Sequence, residues 1–512
     1  MIGPTYRELI VRGAEQHGDR VAVCVGETTL SFAEVDDLST RYANALLGAG
    51  IAPRARVALL INNSLLSVPV DFACVKANLN RVPLNARLSL DEHARMLVET
   101  RAEVLLHGPD LRERALELAD RIPGLRRIPL VAAENEEVAS LARLGRTASP
   151  RLPALDVRPD DVIITLFTSG TTGTLKAAQH TQASYAAICR NVLLNLIAVR
   201  PDDVMLHAAS LLHASGVFVL PFWLRGARTV ILPGFEPAGY LDALEREGAT
   251  TINLVPTMLQ LLLAEPSISG RDFSRLRALI YGASPIPRPV LERALDVFGR
   301  TVFYQYYGQT EAPLCLTVLR PEDHVPARLG SCGRPAIDVE LALVDEAGAP
   351  VRRGEAGEIA VRCPSMMAGY FEAPELDAQM RLPDGWLRTR DVGRFDGDGF
   401  LYLLDRTSDM IVTGGYNVYP REVEDVLLAH PAVRECAVIG LPDETWVEAV
   451  TAVVTLHADG AAGADELIAF CRERLASYKK PQRVLFDPAI PKTAVGKLSR
   501  KALRERYGPV RA

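Results

Sequence analysis

Close cysteine pairs, long apolar runs, a charge excess and internal repeats are all missing from this 512-residue chain. The eight cysteines, at positions 24, 74, 189, 315, 332, 363, 436 and 471, stand at least 17 residues apart, which rules out a CxxC metal or redox motif. Scattered single thiols fit a reducing cytosol. Lys plus Arg total 57 against 63 Asp plus Glu, a net charge of −6, so nothing suggests a dedicated nucleic-acid binder. The longest apolar run, 208–224, contains His213 and Pro221 and is too short to span a bilayer comfortably. The first 20 residues are charged throughout and have no signal-peptide core. These absences together predict a soluble cytoplasmic protein.

What is present is ordinary globular composition, 48% hydrophobic and 23% charged. At roughly 100–200 residues per domain the length suggests two to four structural units. A chain of this size buries about three quarters of its unfolded surface and needs no disulfide or metal to hold a core. Charge is uneven along it: positions 472–512 carry 12 Lys/Arg against 3 Asp/Glu. That run reads either as a solvated basic face or as a surface for a phosphate-rich small molecule.

Up to about Gly330 the pattern alternates short apolar strands with helices, through 56–64, 104–108, 204–210, 227–234, 249–256 and 276–284. Repeated β-then-α units predict an α/β fold, with mostly parallel sheets flanked by helices in a large N-terminal domain. After Gly330 the apolar residues alternate around glycine turns, predicting a small antiparallel β region closed by 399–406. The rest reads as a compact α+β unit. The boundary is expected at 405–409, giving domains 1–404 and 405–512.

Five clusters carry chemistry. In 166–176 an apolar strand enters a loop with Thr168, Ser169, Gly170, Thr171, Thr172 and Gly173, ending at Lys176. Glycines admit close backbone approach to an anion, and hydroxyls, N–H groups and lysine supply donors and charge. It is not a Walker A loop, because Leu175 rather than glycine precedes the lysine. The second cluster is Tyr304 to Glu311, with Tyr306, Tyr307, Gly308 and Thr310. The third ends at Asp391, and the fourth runs from Asp405 and Arg406 to Gly414 and Gly415. The fifth, 491–497, ends at Lys497. Singly, the last four are weak.

In this order and spacing the clusters resemble the ANL superfamily of adenylate-forming enzymes, which includes acyl-CoA synthetases, peptide-synthetase adenylation domains and luciferases. The segments 75–89 and 477–503 look most like the CoA-ligase branch that handles fatty or aromatic acids. The resemblance implies ATP-dependent conversion of a carboxylic acid to acyl-AMP and then to acyl-CoA, with ATP, Mg²⁺ and CoA required. It implies that 168–176 cradles the β- and γ-phosphates. Gly282, Ala283 and Ser284, with Tyr306, Tyr307 and Gly308, form the adenine slot and part of the acyl wall. Thr310 meets the α-phosphate, Glu311 holds Mg²⁺, and Asp391 with Arg406 takes the ribose. Lys497 bridges carboxylate and α-phosphate from the small domain, Gly414 and Gly415 border the pantetheine tunnel, and Ser408 is the hinge. The chain departs from the pattern at Leu175, Ala177, Asp405, Ser408 and Leu79-Asn80-Arg81.

The segment 211–218 matches the family's pocket-lining motif, with His213 as a gate or a packed histidine. No Asp or Glu occurs in 208–234, where an amino-acid ammonium would often need one. Val217, Phe218 and Trp223 favour a hydrophobic acid. A carrier-protein phosphopantetheine is the alternative acceptor to CoA. A nucleotide-binding regulator without turnover is disfavoured by the joint presence of Lys176, Glu311, Asp391 and Lys497.

Overall fold

The computed structural model describes residues 3–132, 139–168, 176–406, 409–413, 416–443, 446–457, 462–493 and 498–508. The expected α/β architecture is present. One sheet has nine strands, with Ala278–Gly282, Thr251–Leu254, Val204–His207 and Arg228–Ile231 parallel at its centre. Phe303–Gln309 continues the parallel run beside Ala278–Gly282, then turns back as Ala312–Leu319. A second sheet of seven strands is parallel from Val162–Thr168 through Asn80–Pro83 and Arg56–Leu60 to Val104–His107 and Arg126–Pro129. Its other end is antiparallel, through Lys176–Thr181 and Gly369–Tyr370.

Helices between these sheets are locked by aromatic packing. Trp223 donates its indole N–H to the Ile10 carbonyl at 2.8 Å and lies 4.4 Å, centroid to centroid, from Phe32. Helices Tyr6–His17 and Phe32–Gly48 begin with the capping boxes Thr5/Glu8 and Ser31/Glu34, which satisfy N–H groups left open by the first turn. The four-stranded antiparallel sheet follows, in the order Glu340–Val344, Gly357–Arg362, Leu387–Phe395, Leu401–Arg406. No helix among the described residues is long and apolar enough to cross a membrane.

The departure at Asn80-Arg81 has a structural reason. Arg81 is fully buried, donates from Nε to the Ile163 carbonyl at 3.0 Å, and is ion-paired with Asp71. The Thr165 hydroxyl donates to Asn80 Oδ1 at 3.0 Å. These polar side chains weld the Asn80 strand to the strand that leads into the glycine loop. A buried guanidinium needs such partners, and the Tyr6 and Tyr185 rings, 5.8 and 5.4 Å from it, complete its surroundings.

Strands Ile411–Thr413, Tyr416–Val418, Val433–Asp443, Val447–Leu456 and Arg483–Phe486 form the last sheet, covered by helices Pro420–Leu427, Ala464–Arg472 and Arg500–Tyr507. The basic tail is spent largely inside this unit. Lys479 pairs with Glu422, Arg483 with Asp443, Lys492 with Glu435 and Arg506 with Asp487. A phosphate-facing surface therefore does not follow from the charge excess.

An ionic cluster joins Asp405 and Asp409 to the last helix. Arg500 Nη2 donates to both Glu424 oxygens at 2.8 Å, and its Nη1 lies 3.3 Å from Asp409 and 3.5 Å from Asp405. Arg504 donates to Asp409 at 3.0 Å. Glu424 also accepts the Val438 N–H at 2.8 Å. One guanidinium thus serves three carboxylates, and removing it leaves them uncompensated. Arg500→Met should lower the stability of the last sheet by about 3–5 kcal/mol. The more exposed Arg504→Met should cost about 1 kcal/mol or less. Native-state hydrogen exchange on Val433–Asp443 measures the difference; equal, small effects would contradict the cluster's structural role.

Candidate functional site

The glycine-rich segment joins two antiparallel strands rather than a strand and a helix. Thr168 and Lys176, which flank the segment, are antiparallel register partners. Lys176 Nζ lies 5.9 Å from the centroid of the Tyr370 ring, a cation–π distance. Tyr370 sits on the short strand beside Lys176–Thr181, and its hydroxyl donates to Glu311 Oε1 at 2.7 Å. One tyrosine therefore links the loop lysine to the carboxylate expected to hold Mg²⁺.

Gln309 and Ala312 pair across their strands, which leaves Thr310 and Glu311 as a two-residue hairpin turn. Gly308 has to be glycine: a Cβ there would lie 2.0 Å from the Leu314 carbonyl oxygen. Behind the turn, the ring of His180 is fully buried and its Nε2–H donates to the Thr310 carbonyl at 2.7 Å. A carbonyl only accepts, so Nε2 carries the proton and Nδ1 faces Ser184 Oγ at 3.5 Å. The Met367 N–H donates to the Glu311 carbonyl at 2.8 Å.

Gly282 is the register partner of Tyr306 and lies against its carbonyl, where a Cβ would sit 2.5 Å from the oxygen. Ala283 follows with φ of 65°, and Ser284 completes the turn. A left-handed non-glycine residue costs about 1–2 kcal/mol, so packing must hold it there. Arg390 has the same conformation, at φ 63°, inside a bulge of the Leu387–Phe395 strand. The bulge presents the next residue, Asp391, to Tyr307, whose hydroxyl donates to Asp391 Oδ2 at 2.7 Å. Burial, then the adjacent carboxylate, pushes the Tyr307 phenol well up, so it remains a donor. Asp391 and Arg406 are cross-strand register partners.

The pocket-lining segment lies against the same sheet. Val217 and Phe218 are buried, and the Phe218 and Tyr306 ring centroids are 6.4 Å apart. His213 is half-buried, its Nε2 is enclosed without a protein partner, and burial lowers its pKa. Ser169, Gly170, Thr171, Thr172, Gly173, Ser408, Gly414, Gly415 and Lys497 lie outside the described residues, as does the Arg406 side chain. Their flanks are placed: Thr413 pairs with Tyr416, and Lys492 bridges to Leu498.

Among the described residues no group of three or more His, Cys, Asp or Glu side chains is arranged to hold a metal. Mg²⁺ is commonly bound through one or two carboxylates and substrate phosphates. Glu311 supplies a carboxylate oriented by Tyr370. Sequence reasoning missed Tyr370 and His180; neither stands in a recognisable motif, and each reaches from the seven-stranded sheet to the hairpin turn of the nine-stranded one.

Three buried histidines make stability depend on pH. Burial pushes His180 and His324 down to about 4 and His207 to about 3. The unfolded chain binds these protons below about 6.5, while the native chain does not until much lower pH. Stability should therefore be full above pH 6.5 and fall as pH drops from 6.5 towards 4, by up to about 1.4 kcal/mol per pH unit for each histidine. His180→Gln should reduce the slope of Tm against pH between 7 and 5; an unchanged slope would contradict a neutral buried His180.

The AMP-binding enzyme family matches residues 10–371, and the AMP-binding enzyme C-terminal domain matches 422–497. A feruloyl-CoA synthase of Amycolatopsis sp is 39% identical over 504 residues, covering 97% of this chain and 98% of that protein. The medium/long-chain-fatty-acid–CoA ligase FadD8 of Mycobacterium tuberculosis is 37% identical over 519 residues, covering 98% and 90%. The structure of the amide bond synthetase McbA from Marinactinospora thermotolerans superposes with a TM-score of 0.90 at 31% identity, over 98% of this chain and 100% of that one. The chain belongs to the AMP-binding, adenylate-forming enzymes of the ANL superfamily, in their acyl-CoA synthetase branch.

Proposed function

We propose that this chain activates a hydrophobic carboxylic acid with ATP and transfers the acyl group to CoA. The observation that carries the reading is the convergence of Lys176, Glu311 and Asp391 on one hairpin through Tyr370 and Tyr307. Membership of the acyl-CoA synthetase branch supports the same reaction.

A carboxylate is a poor electrophile because its oxygen leaves badly. In the first step a carboxylate oxygen attacks the α-phosphorus of ATP, the bond to the bridging oxygen breaks, and pyrophosphate departs. Both partners are anions, so approach requires positive charge placed beforehand. Lys176 and the 168–173 loop would hold the β- and γ-phosphates, and Thr310 would meet the α-phosphate. Mg²⁺ bound at Glu311 would neutralise developing charge on the phosphate oxygens. Asp391, fixed by Tyr307, would accept the ribose hydroxyls, assisted by Arg406. Gly282, Ala283 and Ser284 with Tyr306 would wall the adenine and acyl sites.

In the second step a thiolate attacks the acyl carbon, the C–O bond to AMP breaks, and a thioester forms. In this reading residues 405–512 pivot near Ser408, withdrawing Lys497 and bringing Gly414 and Gly415 to the pantetheine path. Asp405 and Asp409 flank that point, and both are tied to Arg500, three residues beyond Lys497.

The test is pyrophosphate release across a panel of carboxylic acids, comparing CoA, a phosphopantetheinylated carrier protein and a simple amine as acceptors. Acid-dependent release with preferential CoA thioester formation is expected. Preferential loading of the carrier protein or the amine would overturn the CoA assignment. Lys497→Ala should reduce acyl-AMP formation by about 10²–10³-fold. It should largely spare thioester formation from added acyl-AMP. Equal loss of both half-reactions would contradict a role confined to the first.

A further inference from the structure

His207 is absent from every motif above, yet it ends a central strand of the nine-stranded sheet. Ligands of open parallel sheets gather at the C-terminal strand ends, where Gly282 and Leu254 also lie. Alternation along the strand puts His207 on the face of Met205, which shares a core with Val217, Phe218 and Tyr306; Leu206 faces the other core. The imidazole therefore points to the side where the acyl wall stands.

Its two nitrogens are unequal. Nδ1 lies 2.8 Å from Ser215 Oγ, on the same short segment as Val217 and Phe218. Nε2 is enclosed and has no protein partner, although the residue is only 1% exposed. An unpaired buried polar atom costs about 1–3 kcal/mol. The half-buried His213, six residues on, has the same unpaired Nε2. Burial keeps both rings neutral, His207 with its pKa at about 3.

We propose that the acyl site selects a hydroxylated acid, in which a hydroxyl on an otherwise apolar acyl body pairs with His207 Nε2. A hydroxyl both donates and accepts, so it satisfies Nε2 in either tautomer that the Ser215 bond allows. A hydrocarbon cannot. A charged substituent would be left in a low-dielectric wall with only neutral imidazole to meet it. Serine 215 fixes the ring, so Ser215 is a positioning residue and His207 the specificity residue.

This inference rests on the acid-activation reading, and one experiment separates the two. Matched pairs are assayed for pyrophosphate release with the whole chain: 4-hydroxycinnamic against cinnamic acid, 4-hydroxyphenylacetic against phenylacetic acid, and 12-hydroxydodecanoic against dodecanoic acid. The expected result is a preference of about tenfold or more in kcat/KM for the hydroxylated member of at least one pair, the equivalent of one net hydrogen bond. His207→Leu should bring that ratio to about one, and His207→Gln, which keeps a polar group, should restore part of it. No preference in any pair overturns the inference while leaving acid activation standing, whether or not the variants fold. A preference that survives in His207→Leu overturns the assignment to His207. Absence of release with every acid overturns acid activation and this inference together.

Discussion

Two buried carboxylates, each gripped by a tyrosine hydroxyl at 2.7 Å, tie two sheets to one hairpin of the third. Tyr307, on the hairpin, reaches Asp391 on the antiparallel sheet. Glu311, at the hairpin's turn, is reached by Tyr370 from the edge of the seven-stranded sheet, next to Lys176. His180 closes the turn from behind through the Thr310 carbonyl. Asp391 and Glu311 are both only 8% exposed, and each accepts a phenolic hydroxyl that fixes its direction.

Much of this was legible in the amino-acid order. The strand–helix alternation gives the parallel sheets, and the change after Gly330 marks the antiparallel region. Gly308 and Gly282 stand where backbones meet at distances no Cβ tolerates, so their presence in the motifs has a local cause. What could not be read is contact across long separations. Tyr370 meets Glu311 from 59 residues away, and Arg500 meets Glu424 from 76. His207 and His180 look like ordinary strand residues until the sheet shows which face they occupy. The carboxylate partners of the basic tail were hidden for the same reason, because Glu422, Glu424 and Asp443 lie 40 or more residues before the cations they meet.

The polar departures from the family pattern fall at joints. Asn80 and Arg81 brace the base of the glycine loop through Thr165 and Ile163. Asp405 accepts the Arg421 N–H at 3.1 Å and shares Arg500 with Asp409 and Glu424. A glycine at 405 would contribute neither bond. Charge thus ties the Leu401–Arg406 strand to the Arg500–Tyr507 helix.

Adenylate formation requires that an oxygen of the acid attack the α-phosphorus. A substrate acid labelled with ¹⁸O in both carboxylate oxygens, turned over with ATP and CoA, tests this directly by mass spectrometry of the products. One labelled oxygen in AMP and none in pyrophosphate is the predicted result, because thiolysis breaks the acyl C–O bond and leaves the bridging oxygen on phosphorus. AMP free of label, or label recovered in inorganic phosphate beside ADP, would contradict it.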